Sequence, residues 1–444
     1  MPVLENLLAA LSSALWGPPL LCALLGTHVF LTFRMRGIQR HIRKAIRFSV
    51  TKEAGASGDV SPFAALTTSL AATLGTGNIV GVATAVAAGG PGAIFWMWLS
   101  GIFGMATKYT EALLSVKFRV KRGNTMAGGP MYVMENGLHC RPLGCVFAFF
   151  TAIAALGVGA SVQSNSIATL FHQTFRAPPV LSGFVVALLT GFVILGGIHS
   201  ISKVCNWLIP AAGALYILSN LFILGIGWRS IPHSIFLILY DAFSGHAAIG
   251  GFLGATAKDA VRFGISRGLF SNEAGLGSSP IVDAAAQCKN PVRQALVSST
   301  GVFWDTVVLA ALTGIMLVNS GLWQQGLDGG ALTSAVFQSV PVVGPAVLAV
   351  SLFTFAFATC IGWSYYAEKA VEYLFGAHAI RPYKCLYIAV IFFGGVVSVT
   401  AAWNFSDIAN ALMAIPNLAS VLVLSGVAAR ETRREMRHGG ILQR

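Results

Sequence analysis

Apolar stretches of about twenty residues follow one another along the chain, separated by short polar segments. A helix of that length spans about 30 Å and can cross the hydrocarbon core of a bilayer. The pattern therefore predicts a polytopic, all-α membrane protein. We predict eleven transmembrane helices, at about residues 15–33, 62–88, 91–116, 143–170, 180–196, 204–226, 264–280, 295–318, 343–373, 386–402 and 408–429.

Two of these spans contain residues that favour a break in the helix. The first has Gly75 and Gly77 on either side of a threonine, and each glycine costs about 1 kcal/mol relative to alanine in a helix. The other carries a polar, glycine-rich run at 271–277. Unwound backbone at membrane depth offers free N–H and C=O groups to substrates and ions. Close helix packing through Gly77 and Gly81 is the alternative explanation for the first break.

The positions of the breaks indicate how the spans are arranged. One span stands alone at the N-terminus (1–35), and the next five (60–228) and the last five (255–429) each begin with a broken helix. Successive units with an odd number of spans are inverted relative to each other. We therefore predict a single domain, 1–444, with a five-plus-five inverted repeat and a binding site where the two breaks meet.

Composition and charge support a membrane protein and exclude several other classes. Charged residues make up 10% of the chain, against about 25% in soluble domains. The net charge of +13 comes from basic residues in short loops, chiefly 34–52, 117–122 and 430–437. This pattern predicts an outside N-terminus and a cytoplasmic C-terminus rather than nucleic-acid binding. The sequence lacks phosphate-binding and nucleophile motifs and metal-type cysteine spacing, so we expect no enzyme activity.

Four motifs carry a family resemblance. They are Gly75-Thr76-Gly77-Asn78-Ile79, the run GGPGAIFWMWL at 89–99, Phe270-Ser271-Asn272-Glu273-Ala274-Gly275, and Gly362-Trp363-Ser364-Tyr365-Tyr366. With these motifs the chain resembles the alanine or glycine:cation symporter family from its first span to its last.

The resemblance implies the leucine-transporter (LeuT) fold and sodium-driven uptake of a small neutral amino acid, alanine or glycine, by alternating access. It implies sodium as the coupling ion, no organic cofactor, no obligate protein partner and a location in a cell inner membrane. Two alternatives stay open within the same fold: coupling to protons, and a preference for glutamine or serine. A passive channel is the competitor from another class, and saturable accumulation against a gradient would distinguish the two.

Eight residues are predicted to bind the substrate. Backbone N–H groups at the start of the second half-helix, with the Asn78 side chain, would hold the carboxylate. Gln163 also fits a simple helix-to-helix hydrogen bond, and Trp363 also fits plain packing. The predicted set is Thr76, Gly77, Asn78, Gln163, Ser271, Asn272, Gly275 and Trp363.

The implied fold also predicts a sodium site between the first half of span two and span nine. The Thr359 hydroxyl would contribute to it, although that hydroxyl can also bond to its own helix four residues earlier. The predicted ligands are the carbonyls of Ala72, Leu74 and Gly75 and the hydroxyl of Thr359.

Charged residues within the spans are expected to be structural or coupling groups. We expect Glu273 to be paired at the second break, with Arg267 as its partner, or to take part in cation coupling. Asp305 is expected either to act in the site or to hydrogen-bond a neighbouring helix. Lys108 and Glu111, three residues apart, are expected to form a pair at the membrane interface.

Overall fold

The computed structural model describes residues 2–51, 53, 55–123, 125–244, 257–327, 329–396 and 399–437. Almost all of the regular structure is helical. The N-terminal part comprises α1 (Pro2–Leu15), α2 (Pro18–Arg34) and α3 (Ile42–Val50). Pro18 and Pro19 start α2, where a missing backbone N–H costs nothing.

A bent helix pair, a long helix and a small hairpin follow. These elements are α4 (Pro62–Thr73), α5 (Val80–Gly89), α6 (Gly92–Lys117), β1 (Val120–Arg122), β2 (Thr125–Ala127) and α7 (Pro130–Gly137). The two strands are antiparallel, with Val120 opposite Ala127. The axes of α4 and α5 differ by 60°, and a 3₁₀ turn at Thr76–Asn78 lies between them.

The middle of the chain contributes α8 (Arg141–Ala154), α9 (Val162–Phe175), α10 (Pro179–Ile194), α11 (Gly197–Ile226) and α12 (Ile231–Ser244). A π-helical segment, Ala155–Ser161, joins α8 to α9 into one long helix. Such π segments are frequent at functional sites.

The last part holds α13 (Ala257–Asn272), α14 (Pro280–Asp283), α15 (Pro291–Val302), α16 (Ala311–Asn319), α17 (Gly329–Gln338), α18 (Val343–Phe375), α19 (Ile380–Gly394) and α20 (Val399–Arg437). A second π segment, Phe303–Ala310, joins α15 to α16. Helix α6 packs against α13 and α15, and α18 packs against α4 and α11. The two broken segments therefore lie in the interior of the bundle.

Six helices of the described chain are long and apolar enough to cross a membrane, and the bent pair α4–α5 makes a seventh. Large apolar side chains such as Phe192, Trp207 and Val423 are more than two-thirds exposed, as expected for contact with lipid. The eleven spans and the five-plus-five repeat stay predictions. The predicted span at 386–402 is shifted, since α19 covers Ile380–Gly394 and a new helix begins at Val399. A Cβ at Gly394 would lie 2.8 Å from Ser161 Cα, so close packing fixes this helix end.

Candidate functional site

The first predicted break is present, and it contains the two glycines that were expected to permit it. Helix α4 ends at Thr73, and α5 begins at Val80. A Cβ on Gly75 would lie 2.6 Å from Thr359 Oγ1, and one on Gly77 would lie 3.3 Å from Ser271 Cα. The break therefore contacts α18 on one side and the second broken segment on the other.

The second predicted break is also present. Helix α13 ends at Asn272, and the following backbone has positive φ at Glu273 (56°), Gly275 (90°) and Gly277 (82°). Glu273 is the unusual member, because a side chain rarely adopts this left-handed conformation. The short helix α14 begins at Pro280. The chain thus unwinds for several residues in the interior.

Asp305, in the π segment between α15 and α16, connects the two breaks. Its Oδ1 accepts a hydrogen bond from Asn78 Nδ2 at 2.9 Å, and its Oδ2 accepts one from Ser271 Oγ at 3.0 Å. Thr306 Oγ1 donates to Oδ2 at 2.7 Å. All four side chains are buried. Both expectations for Asp305 meet here, since it is a hydrogen-bonding group and lies at the candidate site.

Three residues predicted to bind substrate have a buried polar atom without a hydrogen-bond partner in the described part of the chain. These atoms are Thr76 Oγ1, Asn78 Oδ1 and Trp363 Nε1. Buried polar groups are nearly always paired, so such atoms call for a ligand or water. The Trp363 ring is fully buried, and a Cβ on Gly159 would lie 2.3 Å from Trp363 Cβ. The indole therefore packs tightly against the π segment Ala155–Ser161.

Gln163, which lies in α9, hydrogen-bonds to the backbone of the first break. Its Oε1 accepts from the backbone N–H of Thr76 at 3.3 Å, and its Nε2 donates to the Val158 carbonyl at 3.0 Å. Asn272 Nδ2 donates to Thr306 Oγ1 at 3.0 Å. The carbonyl of Gly275 accepts from Asn417 Nδ2 at 2.9 Å, so it faces α20.

The residues of the predicted sodium site are adjacent. Thr359 Oγ1 lies 3.0 Å from the carbonyl oxygens of Ala71 and Phe355, and 3.5 Å from that of Leu74. The contact with Phe355 is the bond within its own helix that the sequence left open. One hydroxyl hydrogen cannot satisfy three carbonyls, so this is an oxygen-rich position of the kind that suits a small hard cation. Ala72 lies beside it, where its backbone N would be 2.8 Å from a Cβ on Gly362.

The predicted pair between Glu273 and Arg267 is wrong. Arg267 Nη1 lies 3.8 Å from Asp407 Oδ2, and its guanidinium stacks over Trp403 at 5.2 Å. Glu273 Oε2 accepts from Ser278 Oγ at 2.5 Å. Residues six apart do not share a helix face, and Glu273 follows the end of α13, so the two side chains point to different neighbours.

The expected interfacial pair of Lys108 and Glu111 is also wrong. Both side chains are buried, with 1% and 2% of their surface exposed, and both serve the second break. Lys108 Nζ donates to the Asn272 carbonyl at 3.1 Å, and Glu111 Oε1 accepts from Asn417 Nδ2 at 2.5 Å. The sequence signal was the presence of two charges within an apolar span. Apart from its polarity, nothing in the sequence indicated that Asn417, in α20, contacts this site.

A cavity of about 450 Å³ adjoins the breaks on the side of α5 and α13. Residues from six helices line it, and the lining includes Ile79, Thr84, Asn165, Arg267, Leu352 and Trp403. Thr76 and Asn78, which carry the orphaned atoms of the first break, directly precede Ile79 and α5 in the chain. An aqueous path to the site would follow this cavity.

The opposite side is closed by a hydrogen-bonded seal centred on Arg119. Its Nη1 donates to the carbonyls of Ala284 and Ala286 at 3.0 and 2.8 Å, and its Nη2 donates to those of Ser57 and Cys288 at 3.0 and 3.3 Å. The segments it joins, 57–60 and 285–288, also pair with each other through Asp59 N and the Ala285 carbonyl at 2.8 Å. We call these two segments with Arg119 the inner seal.

Comparison with solved structures identifies the fold. A structure of MhsT in complex with L-phenylalanine superposes with a TM-score of 0.53 at 15% identity, covering 84% of this chain and all of that one. A substrate-bound Na⁺-coupled sialic acid symporter gives 0.53 at 12% identity, covering 94% and 86%. At these identities the likeness concerns the fold alone, which is LeuT-like.

Sequence comparison identifies the family. The chain is 46% identical over 440 residues to the sodium/alanine symporter AgcS of Methanococcus maripaludis, covering 96% of both proteins. It is 36% identical to the probable sodium/glutamine symporter GlnT of Bacillus subtilis, covering 98% of this chain and 92% of the relative. These relatives are multi-pass transporters and not enzymes. The sequence model of the sodium:alanine symporter family matches residues 1–438, and the chain belongs to that family, as its motifs predicted.

Proposed function

We propose that the protein is a secondary active symporter that takes up a small neutral amino acid, alanine or glycine, together with sodium. The observation that carries the proposal is the meeting of two broken helices around Asp305, with orphaned polar atoms on Thr76, Asn78 and Trp363. Helix ends at mid-depth supply backbone dipoles to both charges of an amino acid. The similarity to AgcS, a sodium/alanine symporter, supports the same substrate class.

The substrate carboxylate binds at the first break in this proposal. The N-terminal end of α5 carries a partial positive charge, and the Thr76 hydroxyl can donate beside it. The Asn78 amide oxygen is an acceptor, so it is available to the substrate ammonium instead. Ser271 and Asn272, at the C-terminal end of α13, face the ammonium group with the partial negative charge of that helix end. Gly77, between the two breaks, allows them to approach.

Packing around the indole supports a small substrate. Trp363 is held against Gly159 and makes an edge-to-face contact with Tyr366 at 5.5 Å between ring centroids. Gln163 is engaged at both ends of its amide, so it is not free to recognise a polar side chain. A large or charged substrate side chain would require both residues to move.

Sodium binds, in this proposal, between the end of α4 and the middle of α18. The ligands are the carbonyls of Ala72, Leu74 and Gly75 and the Thr359 hydroxyl. Two of the carbonyls within 3.5 Å of that hydroxyl, those of Ala71 and Leu74, support the assignment, because α4 ends there and its last carbonyls have no helical partners. The bound ion would connect the first break to α18, so sodium binding would affect the geometry of the substrate site.

Transport follows from closing one side and opening the other. The cavity on the α5 side and the intact inner seal support an outward-facing conformation. In this proposal the protein lies in a cell inner membrane with its N-terminus outside, and its eleven spans form a five-plus-five inverted repeat. Movement of the broken helices would close the cavity and open the seal. No organic cofactor and no obligate partner are needed.

Calorimetric titration tests the proposal without requiring transport. Alanine and glycine are titrated into purified protein in sodium and in choline buffers of the same pH. We expect saturable binding that weakens at least tenfold without sodium, equivalent to about 1.4 kcal/mol. Equal affinity in both buffers would contradict sodium coupling, and tighter binding of glutamine or serine would contradict the substrate assignment.

A further inference from the structure

Glu111 lacks the partners that a buried carboxylate needs. It lies in α6 with 2% of its surface exposed, and its Oε1 accepts a single side-chain hydrogen bond, from Asn417. Its Oε2 is buried and makes no hydrogen bond of good geometry in the described chain, with the backbone N–H of Gly275 as a nearby donor. None of the six ion pairs between described residues includes Glu111 or Lys108. An ionised carboxylate with one empty oxygen is costly in such a place.

The other buried carboxylates of this region are better supplied with donors. Asp305 accepts from Asn78, Ser271 and Thr306, and Asp283 accepts from Gln294 Nε2 at 2.9 Å and Ser298 Oγ at 2.6 Å. Each aspartate therefore has at least one amide nitrogen that can only donate to it. Glu111 and Glu273 each accept a single side-chain hydrogen bond, from Asn417 and Ser278.

Asn417 also has a buried polar atom that lacks a hydrogen-bond partner. Its Nδ2 donates to both Glu111 Oε1 and the Gly275 carbonyl, while its Oδ1 is buried and has no partner in the described chain. Two acceptors on the nitrogen side fix the orientation of the amide. A proton on Glu111 Oε2 supplies the donor that Asn417 Oδ1 lacks, because a carboxylic acid and a primary amide can form two hydrogen bonds to each other.

Asn417 also contacts the second break directly. A Cβ on Gly277 would lie 2.7 Å from Asn417 Cγ, and the Gly275 carbonyl is bound to its amide. The chain of contacts therefore runs from Glu111 in α6, through Asn417 in α20, to the unwound segment that directly follows Ser271 and Asn272. A change at Glu111 alters the support of that segment.

We propose that Glu111 is a proton-binding site, and that the Glu111 proton, through its pairing with Asn417, holds the second break in the outward-facing conformation. Loss of the proton leaves a carboxylate facing the Asn417 carbonyl oxygen, which repels it, so Asn417 releases Gly275 and the break can move. The ligand is a proton taken up and released at a carboxylate oxygen, with no redox step. The site is separate from the substrate and sodium sites of the proposed function and does not depend on which cation drives transport.

The charged and titratable groups that face Glu111 set the pH range over which this site binds and releases its proton. Lys108 lies one turn earlier in α6 and acts on Glu111, Glu273, Asp283 and Asp305, and α14 contributes Asp283. From α2, His28 packs beside Gly104 and Gly275, with its Nδ1 bonded to Thr107 Oγ1 at 2.7 Å. The basic residue of α15, Arg293, pairs with Glu53, and Glu431 of α20 pairs with Lys117. Four buried acids thus lie around one buried lysine.

Infrared spectroscopy tests proton binding without requiring transport. Wild-type protein at neutral pH is compared with Glu111→Gln, which keeps the shape and the amide partner, and with Asp283→Asn as a matched control. We expect a protonated-carboxyl C=O absorption that is lost in Glu111→Gln and retained in Asp283→Asn. An identical carboxyl band in wild type and Glu111→Gln would overturn the proposal.

The coupling step is tested by the pH profile of substrate binding and uptake in a fixed sodium gradient. A single released proton predicts that the wild-type rate changes by up to about tenfold per pH unit on one side of its midpoint, whereas Glu111→Gln varies by less than about twofold. Asn417→Leu, which removes the amide partner, should flatten the profile in the same way. Superimposable profiles for wild type and Glu111→Gln would reject coupling even if the proton is bound. If no uptake occurs in any variant, the proposed transport function fails while the infrared result still decides the proton site.

Discussion

Asn78 and Asp305 are joined by a hydrogen bond of 2.9 Å between Nδ2 and Oδ1, across the interface of the first break and the π segment Phe303–Ala310. A second bond, at 3.1 Å, runs from the same nitrogen to the Asp305 backbone carbonyl. The amide nitrogen is thus committed to Asp305, which leaves Asn78 Oδ1 free to face a ligand. The site is therefore oriented before any substrate binds.

Removal of this pair should weaken transport strongly. A buried hydrogen bond to a charged group contributes about 1.5–3 kcal/mol, so Asn78→Ala and Asp305→Ala should each lower alanine affinity by about ten- to a hundredfold. Because the residues are in direct contact, the double substitution should cost less than the sum of the two. Calorimetric affinities of the three variants measure this. Additive losses would show that the two residues act separately.

Gly75 should not tolerate a side chain. A Cβ there would lie 2.6 Å from Thr359 Oγ1 and 3.2 Å from Gln163 Oε1, so Gly75→Ala should push apart the residues of the proposed sodium site. We expect at least a tenfold loss of sodium-dependent uptake, in line with about 1.4 kcal/mol or more of strain. Gly81→Ala is the matched control in the same broken span, since its nearest neighbour is 4.0 Å away. Equal effects of the two substitutions would argue against a special role for the first break.

Thr359 should determine sodium affinity. Thr359→Val removes the hydroxyl and keeps the shape, so the sodium concentration for half-maximal uptake should rise at least tenfold while Thr359→Ser stays near wild type. Thr354 is a suitable control, because it lies in the same helix and its hydroxyl bonds only to the helix backbone at Val350 and Ser351. Sodium titrations of the Thr359→Val and Thr354→Val proteins make the comparison. A shift of the same size in both would reject the sodium role.

The inner seal should control access to Cys288. Burial raises the pKa of this thiol, which lies beyond the end of α14, to about 11. The reactive thiolate is therefore scarce at neutral pH, and labelling by a maleimide should accelerate as pH rises towards that value. Arg119→Gln removes five hydrogen bonds to the two segments of the seal, so in a variant whose only cysteine is Cys288 it should speed labelling at least tenfold at constant pH.

The control for this experiment is Lys121→Gln, in the exposed part of the neighbouring hairpin. It changes the local charge by the same amount and leaves the seal intact. Unchanged labelling in Arg119→Gln would mean that Arg119 does not keep this side closed. Faster labelling in both variants would assign the effect to charge alone.

The two breaks could be predicted because their residue types are unusual for a membrane span. Gly75, Gly77 and the run at 271–277 weaken helices locally, and a local cause can be recognised in a local sequence. The fold that the resemblance implies then suggested a role for Thr359, which no local pattern distinguishes from other span threonines.

The partners of the buried charges could not be predicted. Arg267 meets Asp407, and Glu111 meets Asn417, across 140 and 306 positions of the chain. These pairings depend on where α20 crosses α6 and α13, which the hydrophobic pattern leaves open. The spacing of Lys108 and Glu111 fits a surface pair as well as it fits two buried groups, and only the packing of α6 against α13 and α15 decides between them.

Uptake of radiolabelled alanine into liposomes tests the central claim most directly. Wild-type protein and Asn78→Ala are reconstituted in parallel, and an inward sodium gradient is imposed at constant pH. The account predicts accumulation above equilibrium in wild type, its loss when sodium is replaced by choline, and its loss in Asn78→Ala. Accumulation that persists without sodium, or that is untouched by Asn78→Ala, would contradict the proposed coupling ion or the proposed substrate site.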